Sequence, residues 1–448
     1  MHLLENIIPA LVSLWTGTYK DIHGGHTDYV FSGSAFEALG EVCAASSRTI
    51  PAVFGARIPN IATQRYQFIA ETWILFATLL GPALLHRHFS KKEYYDHFIR
   101  LASLVNLCLQ LELSDEDIHA IEHGFATWVK EYERLYYQNC SGRLPVCTLP
   151  VHALLHVADD IRNAGPVWCY WAFPMERFCG VLGRAVKNRK HPYISLSHRV
   201  RDVAQLNQIK LIYCLSDELD LSDSKDAEVN GHRYASCKYH PDVALVPPSP
   251  TLPVSADLRN KIASHLATVF DTQRTRMLRF VPTQLKHWTK LKIVDGDLIH
   301  ASHLAPSNND SAYSRDATYA RYTLDIDKYR NQPTRAPEFV RRVYYGQVLS
   351  FFELSLPADL PHTSDDAPTT HVLAQVACHH VKSEDERVYY YDSSCPPPSV
   401  EVIDVDQIDC LIGRVKDDRR WVILERPAAA EKVDFASELR EIAVETRH

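Results

Sequence analysis

The stretch Tyr170–Arg189 reads YWAFPMERFCGVLGRAVKNR, and its periodicity sets the reading of the first half of the chain. Pro174 suits the first turn of a helix, where its missing N–H has no partner to lose. Phe178, Val181, Leu182 and Ala185 then recur at i, i+3, i+4 and i+7, which gives one apolar face. Glu176, Gly180, Gly183 and Lys187 share the opposite side: one carboxylate heads a face that two glycines clear of bulk. Cations crowd the stretch and its sequel, at Arg177, Arg184, Lys187, Arg189, Lys190, Arg199 and Arg201. From Glu176 through Arg201 seven Lys/Arg stand against one acidic residue, a net of +6 in a chain whose total is −7. A local field opposite in sign to the whole points to an anionic partner.

Outward from this stretch, Met1 to Tyr213 reads as helix after helix. Leu4, Ile7, Ile8, Leu11, Val12 and Trp15 make a strongly apolar first helix, and its place at the start of the chain predicts a segment upstream for it to pack on. A helix follows around Ser34–Ala45. A wandering connection marked by Pro51, Gly55 and Pro59 comes next, anchored by Phe54 and Ile58. The pattern predicts one long helix over Arg65–Leu85, ended by Gly81-Pro82 and a His86-Arg87-His88 cluster. Ser90 is the expected cap of Lys91–Leu111, and Ser114 with Asp117 the capping box of the helix that runs to Tyr137. Helices are also expected at Leu149–Asn163 and Ser195–Leu215.

Composition then shifts. Residues 216–254, with Pro247, Pro248, Pro250 and Pro253, have the character of a linker. Residues 255–282 predict connecting helices with Leu258, Ile262, Leu266 and Phe270 in register. Residues 283–430 fall to a period near two, as in Tyr319–Tyr322, Val343–Glu353, Val372–His380, Val400–Val405 and Trp421–Leu424. Short strands between turns predict a small β-rich barrel or sandwich. Residues 431–448 close as a helical tail. The fold class expected is α+β multidomain: a large helical region over residues 1–215, a linker and a β-rich domain.

Bulk properties narrow the class further. Apolar content of 46% and charged content of 23% are ordinary for a globular protein. A net charge of −7 argues against a generally basic nucleic-acid coat, so any such contact is local. Eleven cysteines show no C-x-x-C pair, and no signal peptide precedes them, which predicts reduced thiols in an intracellular compartment. The longest apolar run, Trp73–Leu85, is broken by Gly81-Pro82 and is short of a membrane span.

Three constellations carry possible chemistry. His152 and His156 lie at i, i+4 with Asp159 and Asp160 a turn further, a spacing open to a divalent metal. No third ligand is evident, and a structural role is the stronger reading. Cys169 and Cys179 bracket the run Trp168–Phe173, with no histidine placed to activate either thiol; the aromatics are expected in the core. Glu176 reads equally as an N-terminal helix glutamate and as a Mg²⁺ ligand at a phosphodiester, with the cations gripping phosphates.

A resemblance bears on that choice. MHLLENIIPALVSLWTG (Met1–Gly17), SRTIPAVFGARIPNIATQRYQFIAETW (Ser47–Trp73) and LPVHALLHVADDIRNAGPVWCYWAFPMERFCGVLGRAVKNR (Leu149–Arg189) resemble the CACTA-type (En/Spm-like) DNA transposases of fungal genomes, in their C-terminal part. A weaker likeness continues in YYGQVLSFFEL (Tyr344–Leu354) and DVDQIDCLIGRVKDDRRWVILER (Asp404–Arg426). The resemblance implies a DDE enzyme with an RNase H-like core, in which two aspartates and a glutamate hold Mg²⁺ or Mn²⁺ for cut-and-paste DNA transposition. It assigns the glutamate, as catalytic residue and metal ligand, to Glu176. DNA contacts fall to Arg177, Arg184, Lys187, Arg189 and Lys190.

Met1-His2 matches the family's Met-His pair, which in those proteins follows the second aspartate. The first two carboxylates and the core strands are therefore expected upstream. The resulting expectation is a transposase-derived DNA-binding protein, catalytically incomplete and nuclear, with a homo-oligomer and a peptide partner of the β-rich domain as further expectations. The competing class is a non-enzymatic chromatin-binding or protein-interaction protein of transposon origin. A metallohydrolase built on His152, His156 and Asp160 comes last.

Overall fold

A computed structural model describes residues 2–172, 175, 178–180, 182–183, 186, 190–215, 235–237, 240–293, 296–304, 315–329, 335–336, 338–357, 369–384, 388–394 and 399–426. The described part of residues 2–215 is helical and holds no strand. Helix α1 (His2–Trp15) is apolar on most of its circumference and is buried accordingly, with Ile8, Leu11 and Leu14 fully enclosed. Helix α2 (Gly33–Ser46) starts on Ser32, whose hydroxyl accepts from Ala35 N at 3.3 Å.

The single helix expected over Arg65–Leu85 is instead broken: a 3₁₀ turn at Arg65–Gln67, a non-helical step at Phe68 and Ile69, then α3 (Ala70–Leu75), a wider π turn at Phe76–Leu80, and α4 (Gly81–Leu84). Pro82 cannot donate back into the ladder, and the widened turn before it absorbs the break. Gly81 is required here by contact, since a Cβ would lie 2.6 Å from the Phe98 ring of the next helix.

Helix α5 (Lys92–Cys108) is not capped by Ser90 as expected. The Ser90 hydroxyl donates to the Asp28 carbonyl at 2.7 Å instead, and Lys91 takes the N-cap position without a side-chain bond. Helix α6 (Asp115–Tyr132) has the expected capping box, with the Ser114 hydroxyl accepting from Asp117 N and Asp117 accepting from Ser114 N. Leu149–Asn163 divides into α7 (Leu149–Ala153), a 3₁₀ turn and α8 (Val157–Ala164). Helix α9 (Pro192–Ile212) runs 21 residues with none buried.

The C-terminal region is β-rich. Its strands are β1 (Ala235–Cys237), β2 (His240–Val246), β3 (Thr251–Pro253), β4 (Gln284–Trp288), β5 (Lys290–Ile293), β6 (Leu298–His300), β7 (Tyr319–Asp327) and β8 (Phe339–Leu356). They continue with β9 (Thr369–Cys378), β10 (Lys382–Glu384), β11 (Val388–Asp392), β12 (Ser399–Asp404), β13 (Ile408–Leu411), β14 (Gly413–Asp417) and β15 (Arg420–Leu424). Helices α10 (Ala256–Val269) and α11 (Arg274–Met277) lie between β3 and β4, and Leu258, Ile262, Leu266 and Phe270 are buried as their register predicts.

The strands form three antiparallel sheets, ordered β1-β2-β5-β6, β10-β11-β15-β14 and β12-β9-β8-β4-β3, with β7 and β13 attached to the last. This corrects the barrel alternative: the sheets do not close on themselves. Within the stretch expected to be linker, residues 240–253 are built into two of these sheets, β2 beside β5 and β3 beside β4. The helical tail expected at 431–448 lies outside the described residues.

The helical and β-rich regions share a core. Val388, Val415, Val422 and Leu424 of β11, β14 and β15 belong to the same buried cluster as α1, α5 and α6. Hydrogen bonds cross the junction: Asp316 N donates to Arg48 O at 2.9 Å, and the Arg315 guanidinium Nη1 donates to Gly55 O at 2.6 Å.

Candidate nucleic-acid interface

The approach to the basic stretch is tied down by one tryptophan. Trp168 donates its indole N–H to the Leu111 carbonyl at 2.9 Å, just past the end of α5, while Val167 packs on the helical core. The bond holds the ring at the surface: Trp168 is 43% exposed and Tyr170 45%. These aromatics were expected in the core, and the polar edge of the indole explains the correction. Burial, and then the charge of Asp160, push the Tyr170 hydroxyl above its ordinary range.

Of the expected site residues, Glu176, Arg177, Arg184, Lys187 and Arg189 lie outside the described residues, and Lys190 is described and exposed. Among their neighbours, Phe178 is 55% exposed, so the face expected to be buried is open at that position. Among the described residues, a Cβ added at Gly180 or Gly183 would meet no heavy atom within 4 Å.

Helix α9 then carries Arg199, Arg201 and Lys210 against the single carboxylate of Asp202, to which Arg201 is paired at 3.2 Å. At 1.5 Å per residue it is a rod of about 30 Å, with Tyr193, Val200, Leu211 and Tyr213 all exposed. Sequence reading missed that this helix stands clear of the core, with none of its residues buried. Tyr193, Leu196, Val200, Val203 and Leu211 fall within about 100° of one another around the helix, a face that periodicity alone would assign to a core, while Ile194, Ile209 and Ile212 lie outside it.

The histidine pair does not develop into a metal site. His152 and His156 are exposed, their Nε2 atoms 3.4 Å apart, while Asp159 is taken by Arg162 at 2.9 Å. Among the described residues no group of three or more His, Cys, Asp or Glu side chains is placed to hold a metal. Cys169 and Cys179 are exposed free thiols, and no described helix is long and apolar enough to cross a membrane. No protein-family model, curated protein or solved structure matches this chain.

Proposed function

We propose that this chain is a transposase-derived DNA-binding protein whose duplex contact is the basic stretch 176–201, continued along α9. The observation that carries the reading is a 21-residue helix without one buried residue, extending a segment of net +6 in a protein of net −7. A rod of that width fits the major groove of duplex DNA, and cations at its base would neutralise flanking phosphates. The RNase H-like character of the helical region, the nuclear compartment and the use of Mg²⁺ or Mn²⁺ belong to the same proposal, through the resemblance. Within residues 1–448 that resemblance assigns one carboxylate, Glu176. Paired-metal phosphodiester chemistry needs carboxylates from at least two places, and DNA binding is the activity proposed for these residues.

Titration of a duplex at increasing salt tests it. Affinity should fall linearly on a log–log plot, and the triple charge reversal Arg184→Glu, Lys187→Glu, Arg189→Glu should reduce the slope by about 0.9 for each phosphate left without its cation. An affinity indifferent to salt and to the triple variant would end the DNA reading. Magnesium-dependent cleavage by this chain, abolished in Glu176→Ala, would show it to be a complete enzyme.

A further inference from the structure

Strand β8 outruns its neighbour. On one side β9 stops at Cys378, opposite Gly346, and the last bond there is His379 N to Tyr345 O at 3.0 Å. On the other side β7 continues to the pair Asp327–Phe339. Lys328 N donates to Glu338 O at 2.8 Å, and bonded pairs alternate in an antiparallel ladder. Val340, Arg342 and Tyr344 therefore bond towards β7. Phe339, Arg341 and Val343 turn their N–H and C=O groups to the opposite side, where no described strand pairs with Phe339–Tyr344.

The side chains along this edge are exposed: Phe339 69%, Val340 38%, Val343 47%, with Arg341 and Arg342 also in solvent. The two arginines differ in their surroundings. Arg341 lies opposite Asp325, with Nε 3.4 Å from its carboxylate. Arg342 lies opposite Leu324, on a face shared with Val340, Ile326 and Tyr344, and has no carboxylate partner among the described residues. One face of the open edge is thus apolar, cation, apolar at alternate positions.

We propose that this edge takes up an extended peptide as an added antiparallel strand, with an acidic residue opposite Arg342 and apolar residues two positions either side. Main-chain bonds to Arg341 and Val343 supply the affinity, and the alternate side chains supply the choice. A second copy of this chain is disfavoured by charge. The two self-pairing registers that overlap five residues place Arg341 or Arg342 opposite its own copy, and like charges directly opposed destabilise a ladder. The proposal stands apart from DNA binding and shares no residue with it.

Fluorescence anisotropy with the full chain and a labelled nine-residue peptide centred on Val-Thr-Glu-Thr-Val tests the idea. We expect saturable binding, at least tenfold weaker for the Glu→Lys peptide and for one N-methylated at the amides facing β8. Arg342→Glu should reverse the preference towards the lysine peptide, which also shows that the variant is folded. Equal binding of both peptides, indifference to N-methylation, or no binding at all would overturn the proposal. So would a dimer in solution that Val340→Asp separates, since the edge would then be filled by a second copy.

Discussion

Thr49 and Arg414 exchange two hydrogen bonds across 365 residues of sequence: the Thr49 hydroxyl donates to the Arg414 carbonyl at 2.5 Å, and Arg414 N donates to Thr49 O at 3.1 Å. Arg414 is itself fixed, its guanidinium over the Tyr319 ring at 3.2 Å and bonded to Asp316 at 2.8 Å. The helical region is thereby joined to β14 by main chain, in addition to the shared core.

Unfolding should accordingly be one event for the described body. In calorimetry we expect a single transition, and Thr49→Val should lower it by the equivalent of about 1 kcal/mol, the net worth of a typical buried hydrogen bond. Two resolved transitions would mean that the helical and β-rich regions melt independently.

Acid should weaken the helical core through His97. The ring stacks on Trp128 at 4.4 Å, Trp128 Nε1 donates to His97 O at 2.9 Å, and His97 Nε2 donates to Trp128 O at 3.2 Å. Burial lowers its pKa to about 3, the Trp128 carbonyl only partly opposing this. A base with a lowered folded-state pKa contributes stability that is complete above its ordinary value of 6.5 and is lost progressively as pH falls towards 3. Below pH 6 we expect up to about 1.4 kcal/mol lost per pH unit from this one group. His379, lowered to about 4 by burial and by Arg414, acts in the same direction. Urea denaturation of His97→Gln between pH 6.5 and 4 should show a shallower loss than the parent; parallel slopes would remove His97 as the cause.

Trp15 is the third test. It donates to the buried Tyr136 hydroxyl at 3.0 Å and meets Phe89 and Phe98 edge-on at 5.3 and 5.4 Å. Trp15→Ala removes the ring from the centre of the helical core and should cost about 3–5 kcal/mol. A thermal midpoint within a degree or two of the parent would show that α1 contributes little to that core.

Where local chemistry decides, the chain could be read directly. The Ser114 capping box, the register of α10 and the alternation at the start of β7 each depend on residues close in sequence, and each is present; β9 and β15 form, but without the expected alternation, since Val372–Ala374 and Val422–Leu424 are buried without a break. Where tertiary packing decides, the reading failed. Strand β2, HPDVALV, was submerged in the surrounding proline-rich composition, yet its Val243, Leu245 and Val246 are buried against neighbouring strands. The start of β8, FVRR, has no alternation to announce it and is a strand because β7 lies beside it. The candidate interface was legible as charge and not as shape. A count of cations marks residues 176–201, whereas only the folded chain shows that α9 has no core to lie on.

The mixed membership of the helical core has a consequence for synthesis. Helices α1 to α8 have emerged by Ala164, but one wall of their cluster is Val388, Val415, Val422 and Leu424, about 260 residues later. At ribosomal speeds of about 5–20 residues per second, that interval is roughly 15–50 s. Throughout it, the nascent helices would present apolar surface that belongs against β14 and β15. Strand β15, the last of the described strands, therefore closes a core whose helices were made long before it, and the nascent chain is most open to aggregation, or to a chaperone, until β15 follows.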